Sequence, residues 1–255
     1  MGRDLSTPGK SLFFWRRSPV AIGLRARGFR GAGFMFIGHY GPAFGAKAAV
    51  KRVPLWVYFL AVQFMDVVWA VLVLLGIEKV RIVPGLMQGS PLDLYYMPYT
   101  HGLLGSLVLS VLFGGAVAAF YKERRAAVFA ACALAVFSHW ICDLLVHRPD
   151  LWIYDGVKVG FGLWRWLWIS LPLELILLCI GAWLYARYVP AKRGGNLWLW
   201  IFVIVLAAVE IYAAFGKAPS TPQAEAETAL FAYGAIAFVA ALVDFSRAKP
   251  ASGGA

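Results

Sequence analysis

The sequence predicts an all-α fold, a polytopic transmembrane bundle of about six or seven helices with almost no soluble domain. Three observations carry this expectation. Of the 255 residues, 61% are apolar and only 15% charged, and the mean hydropathy is +0.71. Soluble domains are about 45–50% apolar and about 25% charged, so lipid must be the solvent for most of this chain. The apolar residues also fall in runs close to the ~20 residues that cross a bilayer core. Finally, the net charge of +11 is gathered in the N-terminal tail and in short turns between runs. That is how cytoplasmic loops are charged, so the expected partner is the lipid bilayer and not nucleic acid.

Residues 1–34 are Gly- and Arg-rich and contain no spanning run. The Arg16-Arg17 pair is followed by a brief apolar stretch cut by Arg25 and Arg27, which argues against an export signal. Composition changes abruptly at Met35, and residues 1–34 are read as either a non-native extension or a disordered tail. The helical domain is expected over 35–248, followed by a disordered tail at 249–255. Its first run, about 36–50, is short and Gly-rich, marginal as a span and compatible with a re-entrant segment. The second covers 54–77, with Pro54 at the helix start, where its missing N–H costs nothing. The others are 100–121, 125–146, 166–188, 197–215 and 229–245. Gly38, Gly41 and Gly45 are read as packing residues, and Cys132, Cys142 and Cys179 as small core residues.

The basic turns orient the bundle. Lys47, Lys51, Arg52, Lys122, Arg124, Arg125, Arg187, Lys192, Arg193, Arg247 and Lys249 fall on one side; only Lys79, Arg81, Arg148, Lys158, Arg165 and Lys217 fall on the other. The first side, with the C-terminus, is therefore expected in the cytoplasm. The opposite loop 147–165, with Trp152, Tyr154 and Trp164, suits an interfacial aromatic belt.

All four histidines, His39, His101, His139 and His147, lie in or beside apolar runs. Ionisable groups there are expensive and are functional candidates by default. His139, Asp143 and His147 are spaced i, i+4, i+8 on one helix face. His139 and Asp143 are one turn apart and can share an ion. His139 and His147 are about 12 Å apart along an ideal axis, which gives His147 a second ion or an orienting role. His39 and Asp66 lie about equally far from the turn near Arg52, so they should meet at one depth. His101 opens the run at 100, with Thr100 as a plausible N-cap. Together His39, Asp66, His101, His139, Asp143 and His147 can converge in the half of the bundle away from the basic turns. Imidazole with carboxylate suits a divalent metal ion, zinc first or another first-row ion. A lone histidine in a membrane helix is more often a packing residue than a ligand. Here all four coincide with two aspartates at matching depth, which favours metal. Asp93 reads as a loop residue, Glu174 and Glu210 as relay or pairing groups, and Tyr95, Tyr96 and Tyr99 as interfacial aromatics.

Four stretches, GHYGPAFGAK with His39, VQFMDVVW with Asp66, PYTHGLLGS with His101 and FSHWICDLLVH with His139 and Asp143, resemble the bacterial membrane-bound metal-dependent hydrolases, also described as LexA-binding inner-membrane hydrolases. The resemblance covers about residues 35–150. It implies metal binding at His39, Asp66, His101, His139 and Asp143. It departs from the family at two places. The family's Pro-Asp-x-Asp is reduced to Asp66, and its His-Arg-Gly-x-Thr-His-Ser survives as Tyr99-Thr100-His101-Gly102.

The leading functional reading is a metal-dependent hydrolase of the cell inner membrane acting on a small-molecule or lipid-like substrate. A metal with an open position activates water, and Asp66 or Asp143 is the candidate catalytic base wherever it is not a ligand. A permease or ion transporter would use the same residues with Glu174 and Glu210 as an ion path; an inverted repeat would mark it, and none is evident. A bis-histidine haem carrier leaves the aspartates without a role. A structural membrane protein needs them only as helix pins.

Overall fold

The structure is a computed structural model that describes residues 37–248 except Asp155. The expected tails at 1–34 and 249–255 lie outside the described residues. Eight α-helices follow a 3-10 turn at Ile37–His39: α1 (Tyr40–Ala49), α2 (Leu55–Val62), α3 (Phe64–Leu74), α4 (Leu103–Ala118), α5 (Arg125–Val146), α6 (Leu167–Tyr188), α7 (Gly195–Phe215) and α8 (Pro222–Phe245). Two antiparallel hairpins interrupt them: β1 (Lys79–Ile82) with β2 (Leu92–Tyr96), and β3 (Leu151–Tyr154) with β4 (Val157–Val159).

The fold is thus mostly helical but not all-α, which corrects the sequence expectation. Among the described residues, fewer helices than the six or seven expected have the length and composition of a span. Four helices, α5 to α8, are long and apolar enough to cross a membrane. A fifth span results if α2 and α3, bent by 53° at a short break, count as one. The break falls at Gln63, inside the run expected as one helix. α1 has 10 residues and α4 has 16, or about 15 and 24 Å at 1.5 Å per residue, short of a ~30 Å hydrocarbon core. The last helix begins at Pro222, seven residues before the expected start. Pro222 occupies its first position and the Thr221 hydroxyl accepts from Ala224 N–H, an N-cap.

The long helices and α4 leave large apolar side chains exposed. Leu104, Leu112, Trp168, Ile204, Tyr212 and Phe231 are each at least 60% exposed. Continuous apolar surface of this kind marks a membrane-facing exterior. The interior is aromatic: Phe59 stacks on Tyr40 at 4.5 Å and meets Phe44 edge-on at 5.0 Å, and Phe44 meets Tyr185 at 5.4 Å. α1 is buried at the centre and packs chiefly on α6. The two backbones touch: a Cβ on Gly41 would lie 2.3 Å from the Leu177 carbonyl oxygen, and one on Gly181 would lie 2.2 Å from that of Gly41. Gly38 is likewise pressed against Glu174, whereas Gly45 faces open space and serves no such approach.

The basic turns gather at one end. Arg52 pairs with Glu123 at 2.6 Å, Lys47 with Asp244 at 3.0 Å, and the Lys192 ammonium donates to the Phe245 carbonyl at 2.7 Å. At the other end the hairpins form a cap. The Gly89 N–H donates to the Trp164 carbonyl at 2.8 Å, and Arg148, just past α5, pairs with Asp93 of β2.

Candidate metal centre

All six expected residues are brought together. His39 ends the 3-10 turn entering α1, Asp66 lies in the first turn of α3, His101 in the turn before α4, His139 and Asp143 near the end of α5, and His147 directly after it. Every one is at least 97% buried. Along α5, His139 stands about 21 Å from Arg125 by helix rise, so the cluster lies in the half away from the basic turns.

Asp143 is the hub. Its Oδ1 lies 3.2 Å from His39 Nε2 and 3.5 Å from His147 Nε2; its Oδ2 lies 3.2 Å from His139 Nε2 and 3.4 Å from His101 Nε2. Asp66 Oδ1 faces the latter two imidazoles again, at 3.2 Å from His101 Nε2 and 3.4 Å from His139 Nε2. His39, His139 and Asp143 form one group whose ligand atoms lie within 4.8 Å of one another, and Asp66, His101 and His139 form a second. His147 joins through Asp143 because α5 has already ended: its backbone is extended (φ −64°, ψ 146°) and its ring does not continue the helical spacing.

The far nitrogens of three rings are tied down. His139 Nδ1 lies 2.7 Å from the Val62 carbonyl oxygen, the last residue of α2. A carbonyl only accepts, so Nδ1 carries the proton. His147 Nδ1 lies 3.0 Å from the Asp150 carboxylate, which fixes it the same way. His101 Nδ1 lies 2.8 Å from the Thr100 hydroxyl, whose own proton goes to Glu78 at 2.6 Å. In the neutral rings Nε2 is then a bare lone pair, and each one points at carboxylate oxygens. His139 Nε2, His147 Nε2 and Asp143 Oδ2 make no hydrogen bond of proper geometry despite these short distances. His39 Nε2 with Asp143 Oδ1 and His101 Nε2 with Asp66 Oδ1 have hydrogen-bond geometry, both at 3.2 Å; at the other contacts lone pairs face lone pairs unless the ring is protonated or a cation sits among them. Every ion-pair partner of Asp66 and Asp143 among the described residues is an imidazole, so no Lys or Arg supplies it. Burial opposes a charge on His147, but Asp143 and Asp150 outweigh it and raise its pKa above the ordinary value. The donor set and its orphaned atoms fit a divalent ion, and these buried His and Asp groups could hold one.

Outer partners complete the arrangement, as is usual for metal-ligating imidazoles. Glu78 also accepts the N–H groups of Tyr99 and Thr100, at 2.8 and 3.0 Å. Thr100 is therefore not a helix cap: α4 starts at Leu103 after Gly102, and the Thr100 hydroxyl links Glu78 to His101 instead. Tyr233 of α8 donates to Asp66 Oδ2 at 2.7 Å. Glu174 and Glu210 accept the Gly38 and Ile37 N–H groups, both at 3.3 Å, and so steady the turn that carries His39. Asp93 stays outside, paired with Arg81 and Arg148. The ring centroids of His39 and His139 are 4.3 Å apart, which leaves no space for a porphyrin between them. Glu78, Asp150 and Tyr233 went unnoticed in the sequence. A carboxylate just past an apolar run is a weak signal for the first, and His-x-x-Asp beyond a helix end for the second; no local signal marks Tyr233.

No protein-family model, no curated protein and no solved structure matches this chain.

Proposed function

We propose that this chain is a metal-dependent hydrolase embedded in the cell inner membrane, with its centre in the half of the bundle facing away from the cytoplasm. The observation that carries the reading is the set of tautomer-fixed imidazoles aiming Nε2 lone pairs at two buried aspartates. His101, His139, Asp66 and Asp143 Oδ2 would hold one ion. His39, His147 and the other oxygen of Asp143 could hold a second. Zinc matches the donor set best. When bound, such an ion acidifies a water and polarises an ester or amide. The chain's own residues orient the ligands through Val62, Thr100–Glu78 and Asp150, and exclude bulk water by burial. Where a single ion is held, the Asp143 oxygen it leaves free is the nearest general base.

Metal analysis of the detergent-purified protein tests this. About one or two equivalents of zinc are expected, removed by a chelator together with ester hydrolysis and restored with it by added zinc. A folded wild type that carries no metal and takes up none sinks the reading.

A further inference from the structure

A cavity of about 320 Å³ opens in the cap, lined by Gly85, Leu86, Met87 and Gln88 from the β1–β2 connection and by Arg148 and Arg165. That is the size of a small ligand site. Among the described residues that line it are two guanidiniums and no carboxylate. Arg148 is engaged on its far sides by Asp93 and Asp150, and Asp93 is shared with Arg81. Burial works against the charge on Arg165, and the nearby Arg148 adds to it; an anion between the two relieves both effects. The cavity is also continuous in chain with the centre. Arg148 follows His147, and the Gly162 N–H donates to the His147 carbonyl at 2.6 Å. Gly160, at φ +153°, lies so close that a Cβ there would sit 2.3 Å from the Arg148 carbonyl oxygen.

We propose that this cavity binds a phosphate group between Arg148 and Arg165, and that the substrates of the adjoining centre are phosphate-bearing. Planar guanidinium forks match phosphate oxygens in pairs. The second half of the proposal rests on the hydrolase reading; the first stands without it. The phosphate belongs to a lipid headgroup or to a soluble phosphoester, and both present the same anion.

The test is calorimetric titration of inorganic phosphate into the purified full chain, with zinc content measured on the same samples. Wild type is expected to bind phosphate, Arg165→Gln to bind at least tenfold more weakly, and Arg165→Lys to lose less, all with unchanged zinc. A wild type that ignores phosphate overturns the proposal, as does Arg165→Gln binding as tightly as wild type. Phosphate binding without metal keeps the cavity and removes the hydrolase; metal without phosphate binding does the reverse. A short-chain phosphatidate that binds more tightly than inorganic phosphate assigns the lipid source, and equal binding assigns the soluble one; both support the site.

Discussion

Two polar clusters, one partly buried and one fully buried, occupy opposite ends of the same bundle, and they are built on opposite principles. At the basic end, Lys47 uses all three ammonium protons, on the Lys51 and Val53 carbonyls and on Asp244 Oδ2, each at 3.0 Å. Asp244 also accepts the Leu55 N–H at 3.0 Å and the Tyr185 hydroxyl at 2.9 Å. Donor meets acceptor at each contact. At the other end, four imidazole Nε2 atoms converge on two carboxylates whose ion-pair partners are these imidazoles alone, and three of the atoms involved lack a proper hydrogen bond. The first cluster is complete as a piece of protein. The second leaves three of its atoms unsatisfied and could hold a cation among them. Both clusters are polar and the second is the more deeply buried, its side chains at most 3% exposed against 8% for Lys47 and 17% for Asp244, so what separates them is whether the donors and acceptors balance.

The sharpest way to break that comparison is to remove one charge from each cluster. Asp143→Asn takes away the charge that faces all four imidazoles, and metal affinity is expected to fall by at least ~100-fold, since the hub and its orienting contacts go together. In chelator its melting temperature should change little, because the charge deleted is a costly buried one that imidazoles alone offset. Lys47→Met should do the opposite. It strands Asp244, costs about 3–5 kcal/mol of stability, and leaves metal per folded molecule unchanged. Thermal unfolding in detergent, with and without chelator, reads both. Should Asp143→Asn destabilise the chelated protein as much as Lys47→Met, the two clusters are alike and both are structural.

Much of this was legible in the sequence, for reasons that can be named. The α5 pair His139 and Asp143 follows from helical spacing alone. His39 and Asp66 meet near His139 because equal distances from the Arg52 turn put them at equal depth, a count that survives the bend in the second run. The bend itself was not legible. No Pro or Gly marks Gln63, and the break follows from tertiary contact. A helix's last carbonyls lack intrahelical donors, and ending α2 at Val62 frees the oxygen that His139 Nδ1 uses. The hairpins were missed because hydropathy dominated the reading of the loops. Asp155-Gly156 between short alternating segments was a usable turn signal. Tyr233 reaches Asp66 across 167 residues, and only the packing of α8 on α3 makes that contact.

The outer partners sharpen the comparison on a finer scale. Thr100→Val removes the hydroxyl between Glu78 and His101 and keeps the side-chain shape. His101 then loses its fixed tautomer, and metal affinity is expected to fall about 10–100-fold. A drop in melting temperature with unchanged metal affinity would instead make Glu78–Thr100 a turn-stabilising pair.

Tyr233→Phe is the mildest test. It deletes the 2.7 Å bond to Asp66 Oδ2 and leaves the ring in place. If Asp66 is a ligand, that bond orients its carboxylate, and metal affinity should weaken by an amount comparable to one charge-assisted hydrogen bond, about 1.5–3 kcal/mol. Stability must follow the same cycle. A variant that binds metal more weakly loses that much extra stability when metal is present, so the holo variant should fall further below holo wild type than the apo variant falls below apo wild type. Equal melting shifts in the two states would mean that Asp66 feels the same surroundings with and without an ion, and that it does not belong to the centre.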